Sequence, residues 1–263
     1  MAVAYDPRKD FKVIGDTVDR GIAVVIYADP GTGKTTCIKR LPVGETLIIN
    51  VECGRGALLG SGHTVFEMDR DLDKIAGLYR FLLTEKHPFK YVVIDNISEL
   101  QEWFVLAIVK MKKKDFATLV DKGEAASKLR EYTYNFRNLI EVGINVVFNA
   151  WEMPFTIEKS ADGDKTRTVP KVFPSLATEL CGIVDMVGHL EKYEKTEDRY
   201  IRFEPTPTIL AKSQYRGVDK FEPADLCFIF DKVRKFSYQK AKPFKPLSSG
   251  ELQLIKGDTV NDV

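Results

Sequence analysis

The residues best suited to chemistry stand in one short segment, Ala28-Asp29-Pro30-Gly31-Thr32-Gly33-Lys34-Thr35. Two glycines, a lysine and a hydroxyl in this order form a phosphate-binding loop, in the looser version with alanine where the strict pattern has its first glycine. Glycines let successive backbone N–H groups point into one concavity that cradles phosphate oxygens. A helix beginning at the end of the loop adds partial positive charge. In such a loop Lys34 reaches the β- and γ-phosphates of a nucleotide and the Thr35 hydroxyl binds Mg²⁺. Asp29, Pro30, Gly31, Thr32, Gly33 and Thr36 complete the expected nucleotide wall. If position 28 required positive φ, alanine there would cost about 1–2 kcal/mol.

Three polar residues end apolar runs and could serve the same ligand. Asp95 closes Tyr91-Val92-Val93-Ile94-Asp95, where a carboxylate near a phosphate loop holds Mg²⁺; the alternative is a cap on the next helix, a task that Asn96 or Ser98 could perform instead. Glu52 follows Ile48-Ile49-Asn50-Val51 and would face the γ-phosphate, able to orient or deprotonate the attacking water, or it is a solvated loop acid. Asn149 ends the run at 144–149, where its amide could sense the γ-phosphate or simply finish a strand.

The elements that must position these groups are legible as apolar runs and helical periods. Residues 22–27, 46–51, 64–68, 91–95 and 144–149 read as buried strands, and 71–86, 97–112 and 122–142 as helices, the last ended by Gly143. Strands alternating with helices predict an α/β fold with a mostly parallel sheet flanked by helices. After Trp151 the pattern changes. Residues 152–174 read as a long polar loop or hairpin, and 183–190, 199–204 and 207–211 as strands with tight connections, so the sheet should turn antiparallel toward the C-terminus. The expected domain is 1–238, with 239–263 a flexible tail rich in proline, serine and glycine.

Bulk composition narrows the classes. Apolar residues make up 44% of the 263, enough for a sizeable core. Lys plus Arg number 39 against 38 acidic residues, so any nucleic-acid contact must come from local patches. The four cysteines are scattered without metal-ligand spacing and read as reduced thiols. MAVAYDPRKDF does not read as a signal peptide, and no apolar stretch approaches the roughly 20 residues of a membrane span.

The segments YADPGTGKTT, LIINVECGRGALLG, YVVIDNISELQ, VVFNAWEMP, CGIVDMVGHL and ILAKSQYRG together resemble the phage-encoded P-loop NTP-binding proteins of RecA-like type, a family that includes single-strand annealing recombinases. The resemblance spans about residues 10–235. It implies a RecA-like core using ATP and Mg²⁺, with Glu52 as catalytic base. Basic residues on a late strand, here Lys212 and Arg216, would reach a neighbouring subunit's nucleotide in a homo-oligomer. Two DNA-contacting loops would lie at about 110–123 and 152–174, and the setting would be the host cytoplasm.

On the residues themselves, the first loop offers Lys110, Lys112, Lys113 and Lys114 beside Phe116. The second offers Phe155, Lys159, Lys165, Arg167, Lys171 and Phe173, diluted by Glu158, Asp162 and Asp164. Basic grooves with aromatic platforms suit single strands, but charge runs are also ordinary solvated faces. A third patch, Lys232 to Lys245, holds six basic residues and no acid. The function expected is ATP hydrolysis with single-stranded DNA binding and strand annealing. The alternatives are a helicase or translocation motor, a nucleotide-gated interaction module, and a nucleotide kinase, for which the Arg-rich lid is lacking.

Overall fold

Alternation along the apolar runs sends successive side chains to opposite faces of a sheet, and both faces are covered. The computed structural model describes residues 15, 17–52, 56–158, 165–193, 196 and 198–236. Residues 17–236 form one compact unit. In β1 (Ala23–Ala28), Ala23, Val25 and Tyr27 pack on one side, while Val24, Ile26 and Ala28 pack on the other. A strand buried on both faces belongs at the centre of a parallel sheet.

The chain runs from β1 through α1 (Lys34–Ile38), β2 (Thr46–Asn50), β3 (Thr64–Glu67), α2 (Asp73–Thr84), β4 (Tyr91–Asp95), α3 (Ile97–Met111) and α4 (Leu119–Asn138) to β5 (Asn145–Glu158). Then come β6 (Lys165–Pro170), α5 (Pro174–Ile183), β7 (Met186–Lys192), β8 (Arg199–Arg202), β9 (Lys212–Ser213), β10 (Phe221–Pro223) and α6 (Leu226–Lys235). The strand order is β10-β8-β7-β1-β5-β4-β2-β3, with β6 paired to β5 and β9 to β7. From β7 to β3 every pairing is parallel. The pairs β7–β8, β8–β10 and β7–β9 are antiparallel, as expected for the C-terminal part of the sheet. Helices α2 to α5 cover one face, and α1 and α6 the other.

Three readings need correction. Strand β5 does not stop at Asn149. It runs on to Glu158 and pairs antiparallel with β6, so of the loop or hairpin expected at 152–174 the structure has the two-stranded arm, with 159–164 outside the described residues. The stretch 207–211 is not a strand and contributes only the bridge Thr168–Ile209. Helix α5 was not anticipated; Pro174 at its first position supplies helical φ where no N–H is needed. The expected tail, 239–263, lies outside the described residues.

The connection from α3 to α4 shows how local chemistry fixes a loop. Thr118 caps α4, accepting from the Asp121 N–H, while the Asp121 carboxylate accepts from the Thr118 N–H at 2.9 Å. This is a capping box closed by aspartate. Asp121 is fully buried and also receives Lys112 Nζ at 2.9 Å and Lys114 Nζ at 2.8 Å. Hydrogen bonds from Lys112, Lys114 and Thr118 hold its carboxyl well below the usual aspartate range.

A carboxyl whose folded pKa is depressed stabilises the fold above its unfolded pKa, and that contribution is lost as pH falls toward the folded value. Asp121→Asn is therefore expected to melt at lower temperature than the native protein at pH 7. The gap should narrow as pH drops below about 4. Thermal melts at pH 7 and pH 3 check this; an equal gap at both would remove the ionised carboxylate from the account.

Candidate nucleotide site

The phosphate loop connects β1 to α1, with Gly31 at φ 80° and Gly33 at φ 109°, backbone conformations that glycine adopts at little cost. Ala28 is the last residue of β1 and does not take positive φ, so alanine costs nothing there. Four carbonyls of the loop segment, those of Ala28, Asp29, Thr32 and Gly33, accept hydrogen bonds. Lys34 Nζ donates to Ala28 O and Asp29 O, both at 2.9 Å. Asp29 O also accepts from the Thr32 hydroxyl at 2.9 Å, and Gly33 O from the Cys37 N–H at 3.1 Å.

Thr32 O is reached from far along the chain, by Arg199 Nε of β8 at 2.6 Å. A Cβ on Gly33 would stand 2.7 Å from that same nitrogen, so the arginine lies flat against the loop.

The strand ends deliver the other groups. Because β5 lies between β1 and β4, Asn149, Asp95 and the loop form one bonded chain. The Thr35 hydroxyl donates to Asp95 Oδ2 at 3.0 Å, and Asn149 Nδ2 donates to Asp95 Oδ1 at 3.0 Å. Asn96 caps α3 through its side chain, accepting from the Glu99 N–H at 2.8 Å, which relieves Asp95 of that task. The peptide joining Asp95 to Asn96 is cis. Glu52 follows β2, its N–H directed at Asp95 O at 3.4 Å.

Burial sets the electrostatics. Lys34 and Asp95 are each only 7% exposed. Burial lowers the Lys34 pKa against the pull of Glu52 and Asp95. Burial raises that of Asp95 against its bonds to Asn149 and Thr35 and the nearby Lys34. Glu52 is also pushed up, first by burial and then by Asp95, in the direction that suits a proton acceptor near neutral pH.

An anion and a hard cation fit this set. Lys34 is a largely desolvated ammonium resting on neutral carbonyls, and Thr35 and Asp95 present oxygens side by side. Asn149 Oδ1 is buried without a partner among the described residues. No group of three or more His, Cys, Asp or Glu that could hold a metal occurs among the described residues. The Thr35 hydroxyl and the Asp95 carboxylate, side by side, suit Mg²⁺, which keeps several waters and is bound through one or two protein oxygens together with phosphates.

Two contacts at the site had no signal in the sequence. One is Arg199. The other is Trp151, whose indole pulls the Glu52 pKa down against its burial. Near them, His189 lies between Glu152 (2.7 Å) and Glu191 (3.1 Å). Thr36 opens on a cleft of about 370 Å³ that Arg40, Arg199 and Pro223 also line. A larger groove of about 1240 Å³ between α2, α3 and α4, with Ile75, Tyr79 and Trp103 in its wall, holds none of the site residues.

The remaining expected residues do not join the cluster. Lys212 Nζ donates to Gly182 O at 2.9 Å, and Arg216 stands exposed on the turn after β9. Lys112 and Lys114 are paired to Asp121, and Lys113 is exposed at φ 52°. On the arm, Phe155 is half-buried, Lys165 pairs with Glu158 at 2.8 Å, and Arg167 donates to Thr206 O at 2.9 Å. Lys171 Nζ lies 5.1 Å from the centre of the Trp151 ring. Phe173 packs against the core and is no platform for a base. In the third patch Lys232 pairs with Asp219 and Glu222, and Arg234 donates to Asn145 at 2.7 Å; Lys240, Lys242 and Lys245 lie outside the described residues.

The parallel sheet, its strand order and the loop at the end of β1 define an α/β fold with a phosphate loop at the carboxyl end of a central strand. A family model described as AAA domain matches residues 20–215, and the chain belongs to that family. A comparison with curated proteins finds no match. Among solved structures, the RadB recombinase is similar at 16% identity and TM-score 0.43, the match covering 73% of this chain and 86% of that one. The flagellar accessory protein FlaH from Methanocaldococcus jannaschii is similar at 11% identity and TM-score 0.38, over 69% of this chain and 76% of that one.

Lys34→Ala should abolish tight nucleotide binding, as measured by calorimetric titration, because the loop loses its point charge. Asp95→Asn should weaken the dependence of binding and turnover on Mg²⁺. Native affinity in Lys34→Ala would show that the ligand sits elsewhere.

Proposed function

We propose that this protein binds and hydrolyses ATP, that hydrolysis is coupled to single-stranded DNA held by the β5–β6 arm, and that it promotes strand annealing in recombination, the phage setting following from the resemblance. The observation that carries the hydrolytic reading is the convergence of Lys34, Thr35, Asp95 and Glu52 at the ends of neighbouring strands. Lys34 would neutralise charge on the β- and γ-phosphates, exchanging two backbone carbonyls for phosphate oxygens. Thr35 and Asp95 would hold Mg²⁺, with Asn149 fixing the Asp95 carboxylate. Bound Mg²⁺ supplies charge neutralisation on the phosphoryl oxygens. Glu52 would take the proton from the attacking water.

The nucleic-acid reading is supported by the arm, which continues the strand that carries Asn149 and presents Phe155, Lys165, Arg167 and Lys171. Exposed ion pairs such as Lys165–Glu158 are weak, so a phosphate can replace the carboxylate. Lys112 and Lys114 belong to a buried carboxylate, which leaves Lys113 as the basic residue of the first loop best placed for DNA. A role across a subunit interface falls to Arg216 rather than Lys212, whose ammonium is engaged by its own chain.

ATP turnover with and without an oligothymidylate is the test. Glu52→Gln should retain nucleotide binding and slow hydrolysis by about 10²–10⁴. Replacing Lys165, Arg167 and Lys171 with alanine should weaken single-strand binding and reduce the salt slope by about 2. Neutralising Lys112 and Lys114 should instead lower the melting temperature. Stimulation that survives the arm variant would move the DNA site elsewhere, and a duplex-unwinding assay separates the motor alternative.

Mixing Arg216→Ala with Lys34→Ala protein should recover activity that neither has alone, because each supplies what the other lacks. A hydrolysis rate strictly proportional to protein concentration, with no recovery on mixing, would remove the trans arginine.

A further inference from the structure

The peptide unit between Thr32 and Gly33 lies in the phosphate loop, immediately before α1. A trans peptide is planar, so its carbonyl and its N–H point in opposite directions. A bond that fixes the Thr32 carbonyl on one side therefore aims the Gly33 N–H at the other. Arg199 Nε makes that bond at 2.6 Å. A guanidinium donor makes it charge-assisted, roughly twice as strong as a neutral bond. Gly33, at φ 109°, has no Cβ to keep the arginine away.

The antiparallel edge of the sheet holds Arg199 in this position. Its carbonyl accepts from the Ala224 N–H at 3.2 Å, and it stands opposite Lys192 of β7. Two residues on, Ile201 is fully buried and shares its face of β8. Ile201 fills the space over Gly188, where an added Cβ would meet Ile201 Cγ2 at 2.4 Å. On that face Ile201 packs in the same apolar layer as Cys37 and Ile38 of α1, so Arg199 is directed toward the loop that opens α1. Strand order puts β8 on the opposite side of β1 from β5, β4 and β2. Arg199 thus meets the loop on the flank away from Asp95 and Glu52. Among the described residues its side chain has no ion-pair partner, and the Thr32 carbonyl is the acceptor it uses.

We propose that Arg199 is a positioning residue of the phosphate loop, which fixes the Thr32 carbonyl on the β8 side and so turns the Gly33 N–H into the concavity that receives phosphate. The inference rests on the reading of this loop as the nucleotide site. A donor held in place before the ligand arrives spares part of the ordering cost of binding. Nucleotide affinity is thereby tied to the antiparallel edge of the sheet, while Mg²⁺ and the attacking water are served from the other flank.

Methionine and glutamine separate the donor from the stem that carries it. Arg199→Met keeps an unbranched side chain without a donor. Arg199→Gln places a neutral N–H as many bonds from Cα as Nε stands. In calorimetric titrations with ADP and Mg²⁺, Arg199→Met should bind about 10–100-fold more weakly than the native protein. Arg199→Gln should recover part of that loss, because it can still donate to the Thr32 carbonyl. Inorganic tripolyphosphate should give the same ranking, since the contact serves phosphates and not the nucleoside. The KM for ATP should rise by a similar factor and kcat fall by less.

Native affinity in Arg199→Met would overturn the proposal, as would Arg199→Gln binding no better than Arg199→Met. A loss confined to ADP, with tripolyphosphate bound as in the native protein, would make Arg199 a nucleoside contact and overturn its role in the loop. Thermal melts without ligand supply the control for folding. Affinity losses that follow lowered melting temperatures across the two variants would mark a merely structural role and overturn it too. Lys34→Ala binding both ligands like the native protein would defeat the reading of the site itself. Binding lost in Lys34→Ala but native in Arg199→Met would defeat only the role of Arg199.

Discussion

Two opposite charges withdrawn from water at the same strand ends, Lys34 and Asp95, are the constraint on which the rest of the structure depends. Each buried ion costs several kcal/mol unless its hydrogen-bonding capacity is met. Neither finds that compensation in a direct bond to the other. Lys34 leans on two carbonyls of its own loop, and Asp95 on Thr35 and Asn149. The loop must therefore curl back over its lysine, which requires Gly31 and Gly33 at positive φ, and β5 must lie between β1 and β4 to bring Asn149 beside Asp95. The cost is offset by two apolar layers, one on each face of the sheet.

Strand order then sets the spacing of the site. Adjacent strands lie about 4.8 Å apart, so the ends of β1, β5, β4 and β2 lay out the phosphate loop, Asn149, Asp95 and Glu52 in a row. A row of that width accommodates a polyphosphate and its metal, and open α/β sheets bind ligands at the carboxyl ends of their strands. Function enters where the regular pairing stops. Beyond Ala28 the chain becomes the phosphate loop, and beyond Trp151 it leaves the sheet as the arm.

What the sequence disclosed and what it concealed divide along physical lines. The phosphate loop, the apolar run ending at Asp95 and the buried start of β5 were legible because local composition dictates them. Beyond Trp151 the strand lost its apolar signature, since Thr156 and Glu158 face water, and pairing with β6 keeps it extended. Arg199 meets Thr32 across 167 positions, and no local pattern encodes such a contact. The pairing of Lys112 and Lys114 was hidden because their partner, Asp121, stands a full loop away. The clue was present in Thr118 and Asp121, three apart at the start of a helical period, the spacing of a capping box.

The two basic loops consequently differ in kind, although their compositions look alike. Around Asp121 the lysines compensate a carboxylate with no exposure, and removing them to serve a phosphate would leave that carboxylate buried and unpaired. Breaking such an arrangement is strongly unfavourable, and a phosphate gains too little at the surface to repay it. On the arm, Lys165 and Glu158 are 73% and 58% exposed, and water already competes for both. Exchanging one solvated anion for another there is nearly neutral before counterion release is added, and that release favours the polyanion. Burial of the partner, rather than the number of lysines, decides which charges a polyanion could reach, and on that ground the proposed nucleic-acid contact falls on the arm that follows Trp151.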